Sequence, residues 1–255
     1  MEIPLDSLCI KNLWQSLGHE VDQISQDATG YLAAFVSDGW IVLTGAQVAD
    51  LNMALVHGIS PQAWLEDSVN SFKTRKIPGV VFLTDSVSSF MSQAASDLGL
   101  ENQGVMPHLA RRSDLNTPEV ATVDVSNYKD ETSLRQAAQL QSNAFGYDLS
   151  ELNMTLGGKV LDNPAVQLFV GRDCGRPVST VMTIADGRTR GVWNMATDPG
   201  YQGKGFGSAV LARALNYSRQ GCNLDHLLAT QRAESLYRRF GFRPIGTAST
   251  FTWQP

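Results

Sequence analysis

The residues with the clearest chemical potential lie in one run, Asp198-Pro199-Gly200-Tyr201-Gln202-Gly203-Lys204-Gly205-Phe206-Gly207-Ser208. Glycines at 203, 205 and 207 permit backbone conformations that a side chain forbids, and they let a ligand approach the main chain closely. Where a helix starts after such a run, successive N–H groups and the helix dipole converge on one point, and Lys204 adds a positive charge nearby. That is a cradle for phosphate. Two common phosphate loops do not fit. Walker A needs a glycine where Asp198 stands and Ser or Thr where Gly205 stands, and the G-x-G-x-x-G dinucleotide fingerprint needs a glycine at Ser208. The plainer alternative is a glycine-rich turn that only lets a strand and a helix pack together.

A cradle needs a strand leading in and a helix leading out, and the flanking pattern predicts both. Residues 191–197 read as a strand and 207–220 as a helix closed by Gly221. Around them 120–125, 166–170, 177–184, 224–230 and 242–253 read as extended, with helices over 130–144 and 234–240, in the order β-α-β-β-β-α-β-α-β. The polar segment 113–118 ends in Pro118 and reads as a linker between a domain at 1–112 and a larger one at 119–255. The first domain is a small α+β unit, with helices over 5–17, 61–72 and 86–98 and strands over 31–36, 40–44 and 79–83.

Following Met195-Ala196-Thr197-Asp198-Pro199, the order Gln202-Gly203-Lys204-Gly205-Phe206-Gly207 resembles the Q-x-x-G-x-G acyl-CoA motif of the GNAT superfamily of N-acyltransferases. Residues 228–242, with Leu236-Tyr237 and Gly241-Phe242, resemble the family's second motif. The resemblance covers 119–255 and implies the GNAT fold, a mixed α+β sheet. It implies acetyl-CoA as co-substrate, no metal, and direct transfer of the acetyl group to a primary amine of a small molecule or peptide. Under it, the backbone of Met195, Ala196 and Thr197 pairs with the pantetheine arm, and Ala196 and Thr197 steady the oxyanion. The N–H groups of Gln202, Gly203, Lys204, Gly205, Phe206, Gly207 and Ser208 hold the pyrophosphate, and Tyr237 protonates the departing thiolate. Thr230 stands where many relatives have a cofactor-contacting Asn.

For Tyr237 the plainer alternative is a core aromatic on a short helix. The base that deprotonates the amine is open: Asp225 and His226 are candidates, but strand neighbours point to opposite faces, so at most one can face the slot. Trp193 and Asn194 could line the acceptor pocket. The end of the first domain, Val80-Val81-Phe82-Leu83-Thr84, a helix, then Leu98-Gly99-Leu100 and 104–111, echoes the second half, as a degenerate GNAT-like unit without a cradle would. A protein that only binds acyl-CoA, as sensor or scaffold, is the competing class; it would keep 202–207 but need not keep Tyr237.

Composition bounds these readings. The chain has 255 residues, 43% hydrophobic and 18% charged, enough for a packed core. Net charge is −5, which disfavours nucleic acid or anionic lipid as partner, and no basic recognition helix is evident. The charge is uneven: residues 1–118 hold 6 Lys+Arg against 13 Asp+Glu, which would favour a cationic acceptor or be merely a solvated face. Cys9, Cys174 and Cys222 form no paired framework, and no apolar run suggests a signal or a span. A cytoplasmic monomer or homodimer is expected.

Overall fold

Trp14, Leu17, Val21 and Ile24 recur at helical spacing, and all four are buried along one face of α1 (Ser7–Ser25). This helix lies across a single sheet built by both halves of the chain. The computed structural model describes residues 7–255 apart from 59, 121, 128, 156 and 218–220. The strands are β1 (Leu32–Val36), β2 (Gly39–Leu43), β3 (Asn52–Val56), β4 (Gly79–Thr84), β5 (Glu101–Arg112), β6 (Asp124–Ser126), β7 (Val166–Asp173), β8 (Arg176–Ala185), β9 (Thr189–Thr197), β10 (Leu224–Leu228) and β11 (Arg243–Trp253). The remaining helices are α2 (Pro61–Arg75), α3 (Asp85–Asp97), α4 (Glu131–Phe145), α5 (Leu149–Thr155), α6 (Gly158–Asp162), α7 (Phe206–Asn216) and α8 (Gln231–Arg239).

The strands form one sheet in the order β1-β2-β3-β4-β11-β5-β10-β9-β8-β7-β6. Its two sides repeat a pattern. β1-β2-β3 and β7-β8-β9 are antiparallel runs, each followed by a parallel pair, β3 with β4 and β9 with β10. The last strand of each half crosses to the other side: β11 pairs with β4, β5 pairs with β10, and β5 and β11 pair with each other between them. The expected linker at 113–118 follows β5 directly, while the sheet is continuous across both halves.

Helices α2 and α3 cover one face of the first half around Phe72, Val81 and Met91. Helices α7 and α8 cover the second half around Val210, Leu227 and Phe242. On the opposite face α1 packs with Trp40 and Phe82, and its end joins α4 over Met182 and Ile184.

The mixed α+β architecture is as expected, with local differences. The first helix continues through Gly18 to Ser25, because Gly18 is there for packing: a Cβ would lie 2.5 Å from the Trp40 ring. Leu5 and Asp6 of the expected helix lie outside the described residues. Of 120–125 only the end is strand, in β6, and Ala121 lies outside the described residues. The expected helix over 207–220 is α7, with 218–220 likewise outside. Helix α8 starts at Gln231 rather than 234, because Thr230 caps it by accepting from Ala233 N–H at 3.3 Å. The buried strand β3 and the short helices α5 and α6 carry too few periods to stand out in the sequence.

Candidate active site

The site begins where β9 and β10 part. They pair in parallel only from Leu224↔Thr189 to His226↔Gly191, and beyond that β9 runs on to Thr197 without β10. The equivalent pair in the first half stays zipped from Met53↔Val80 to Val56↔Leu83. The difference has a local cause. Asn194 sits at φ +50, and the β8–β9 register slips between Thr180 and Met182. This is a bulge, which bends the strand and re-aims its side chains; Asn is one of the few side-chain-bearing residues that enter the left-handed region readily.

The parting opens a cleft of about 760 Å³, within the range of small-ligand sites. Met195, Ala196 and Thr197 form one wall; Tyr237, Leu236 and Thr230 form the other. At the mouth lie Gln202, Gly203, Gly205, Phe206, Gly207 and Ser208, and the end of α4 adds Ala144 and Phe145. Thus the residues singled out in sequence converge on one cleft, with Lys204 set apart. Its ammonium lies 2.9 Å from the Gly200 carbonyl oxygen and 5.0 Å from the Tyr201 ring centre.

The glycines serve two purposes. Gly203 and Gly205 take φ +76 and +89, which only glycine adopts without cost. Gly207 lies inside α7, and its role is packing: a Cβ would meet Thr197 Oγ1 at 3.2 Å and Met195 Cε at 3.3 Å. The first turn of α7 therefore sits against β9 and presents its N–H groups, which no helix can satisfy internally, at the cleft mouth.

Two cations absent from the sequence-based set stand there. Arg232 donates to Gln202 Oε1 at 2.8 Å and Arg239 to Ser208 Oγ at 3.3 Å, and both line the cleft. Their seven-residue spacing on α8, with Leu236 between, puts them on one helix face, and that spacing was the available signal. Gln202 in turn donates to the Thr197 carbonyl at 3.2 Å, tying loop to strand. A diphosphate fits this mouth: backbone donors, two arginines and open space meet there.

Tyr237 is buried, and among the described residues its hydroxyl reaches only Met195 Sδ, at 3.4 Å. A thioether is a weak acceptor, so the phenol is available to a better one. Burial pushes its pKa well above the usual tyrosine value, which keeps the proton on oxygen.

Asp225 and His226 do point to opposite faces, and neither of these two candidates for the base lines the cleft. Asp225 is fully buried between Arg190 at 2.8 Å and Arg111 at 3.5 Å. His226 is fully buried between Glu20 Oε1 at 2.9 Å and His108 Nε2 at 3.1 Å. Their charge is spent on holding β10 to its neighbours. Trp193 and Asn194 line a separate small cavity on the other face of β9. Cys174 is exposed and Cys222 buried, both as free thiols.

Among the described residues no helix is long and apolar enough to cross a membrane, and no group of three or more His, Cys, Asp or Glu side chains could hold a metal ion.

Residues 164–244 match the model of the acetyltransferase (GNAT) domain. Solved structures resemble most of the chain. A GCN5-related N-acetyltransferase from Kribbella flavida aligns over 94% of this chain and 95% of its own, at 20% identity and TM-score 0.67. A tandem GNAT protein from the clavulanic acid biosynthesis pathway aligns over 91% and 87%, at 11% identity and TM-score 0.59. A GCN5-related N-acetyltransferase from Sphaerobacter thermophilus aligns over 86% and 78%, at 17% identity and TM-score 0.59. At these identities the likeness is one of fold. No curated protein sequence matches the chain.

Proposed function

We propose, from the match of residues 164–244 to the acetyltransferase (GNAT) domain, that the protein transfers an acetyl group from acetyl-CoA to a primary amine. The observation that carries this reading is the cleft between β9 and β10, open at the start of α7 and flanked by Tyr237. Acetyl-CoA supplies the acyl group as an activated thioester. The N–H groups from Gly203 to Ser208, with Arg232 and Arg239, hold the diphosphate, and the unpaired edge of β9 at Met195, Ala196 and Thr197 receives the pantetheine amides.

In the transfer the amine nitrogen forms the C–N bond as the C–S bond breaks. One N–H proton leaves nitrogen and one proton ends on the CoA sulfur. Backbone N–H groups beyond the Asn194 bulge steady the carbonyl oxygen as its charge grows. Tyr237 Oη, protonated and weakly engaged, hydrogen-bonds the leaving sulfur and neutralises it. This reading needs no covalent acyl-enzyme.

In the first half, the zipped β3–β4 pair leaves no slot, and α2 starts at Pro61, soon after β3 ends at Val56. We read residues 1–112 as a degenerate second unit that completes the sheet with β5 and binds no acyl-CoA.

The test is a thiol-release assay with acetyl-CoA and a panel of primary amines. Amine-dependent CoA release that Tyr237→Phe reduces supports the reading. Tight acetyl-CoA binding with no release for any amine, and no effect of Tyr237→Phe, would make the protein a binder rather than an enzyme.

A further inference from the structure

Transfer to an amine leaves one cavity without a role. On the other face of β9 a small, partly open space of about 40 Å³ lies between the two halves of the chain, with room for about three water-sized groups. Ile24 of α1, Met53 of β3 and Trp193 of β9 give it mostly apolar walls.

Its polar lining residues are Ser25, Thr44, Asp50, Gln141 and Asn194. Gln141 of α4 lines the cavity at 3% exposure, and its Nε2 has no hydrogen-bond partner among the described residues. A buried amide donor left unpaired is costly and uncommon, so this one is suited to an oxygen that arrives with a ligand. Asp50 stands at the exposed rim and accepts from Tyr147 Oη. The loop carrying Asp50 is also fastened to α5, where Gln47 N–H donates to Glu151 at 2.7 Å. Asn194, turned by its positive φ, lines this cavity, while the next residue, Met195, lines the acyl-CoA cleft. One residue step separates the two spaces.

We propose that this cavity is the acceptor pocket and that it selects a small primary amine carrying a hydroxyl or carbonyl oxygen two carbons away. The oxygen lies on Gln141 Nε2, the short carbon stem fills the apolar walls, and the amino group points out past Asn194 toward Met195. Asp50, contributed by the first half, draws the amine to the rim by its charge. This rests on the acetyl-transfer reading and adds a substrate class to it.

The probes are 2-aminoethanol and n-propylamine, which differ by a hydroxyl for a methyl. Each is titrated calorimetrically into the full-length protein, with and without saturating CoA. Binding of 2-aminoethanol about tenfold tighter than n-propylamine is expected. Gln141→Leu should erase that preference, and Asp50→Asn should weaken both amines, with acetyl-CoA affinity unchanged in both variants. Gln141→Met, of similar volume, replaces the Leu variant if that one fails to fold. Equal affinity for the two amines, a preference that survives Gln141→Leu, or no binding of either amine would overturn the proposal. Loss of acetyl-CoA binding in the unaltered protein would instead overturn the acetyl-transfer reading, and the titrations without CoA still decide this one.

Discussion

Glu20 of α1 and His226 of β10 are 206 residues apart in the chain and 2.9 Å apart in space, both fully buried where the first helix lies across the second half of the sheet. Glu20 also accepts from Trp193 Nε1 at 2.7 Å, so it joins α1 to both β9 and β10, the strands that part to form the cleft. His108 of β5 completes the chain of contacts, 3.1 Å from His226 and stacked at a tilt on Trp14.

This seam should make stability depend on pH in two directions. Burial opposes charge on His226, but the charge and hydrogen bond of Glu20 outweigh it, with smaller help from Asp186 and Asp225, and its pKa lies above the usual imidazole value. That stabilisation is full below about pH 6.5 and is lost as pH rises through the folded pKa. For His108, burial and then the charge of His226 hold the pKa well below the usual value. Its contribution is full above about pH 6.5 and is lost as pH falls. Melting temperature measured from pH 5 to 9 should therefore pass through a maximum. Glu20→Gln should lower stability by about 1–3 kcal/mol near the maximum and flatten the alkaline limb. An alkaline limb unchanged in Glu20→Gln would mean that His226 carries no charge in the fold.

Tyr237→Phe removes one oxygen whose contact is a thioether at 3.4 Å. The fold and the KM for acetyl-CoA should hardly change, while kcat falls about 10²- to 10⁴-fold, the range for loss of a general acid. Steady-state kinetics of CoA release measures both. A kcat within twofold of the unaltered protein would leave Tyr237 as a core aromatic.

Arg232→Gln and Arg239→Gln each remove a charge from the cleft mouth without touching its floor. Each should weaken acetyl-CoA binding about tenfold at low salt, and the difference should shrink as ionic strength rises. Titrations at two salt concentrations decide this. A loss that does not depend on salt would argue that the arginines act by packing.

Gly207→Val should cost about 1–3 kcal/mol of stability, because its Cβ has only 3.2 Å to Thr197 Oγ1 and 3.3 Å to Met195 Cε. Displacing the first turn of α7 should also weaken acetyl-CoA binding. Thermal melting and a titration of the same variant test the two effects, and a variant as stable as the parent would contradict the packing role.

What could be read from sequence followed the range of the forces involved. The glycine run, the L-Y and G-F pair and the strand–helix order are local, and they located the cleft and the residues along it. The exchange of β5 and β11 was not legible, since nothing in either strand's own pattern says which half it joins. Asp225 and His226 looked available for chemistry because their partners come from afar: Arg111 and His108 from β5, Arg190 from β9, and Glu20 from α1. The surroundings of Asp50 were not legible for the same reason, its loop meeting Tyr147, and Glu151 of α5, only in the folded chain. Arg232 and Arg239 lie apart from the glycine run, on one face of α8, and only a count of seven along that helix links them to the cleft.

The central claim, that one cleft between β9 and β10 binds acetyl-CoA while the zipped β3–β4 pair does not, is tested most directly by calorimetric titration with acetyl-CoA. The account predicts one equivalent per chain, lost in Gly205→Val, whose φ of +89 a β-branched residue cannot hold without strain, with circular dichroism confirming that the variant still folds. Two equivalents, or none, or unchanged affinity in Gly205→Val, would contradict it.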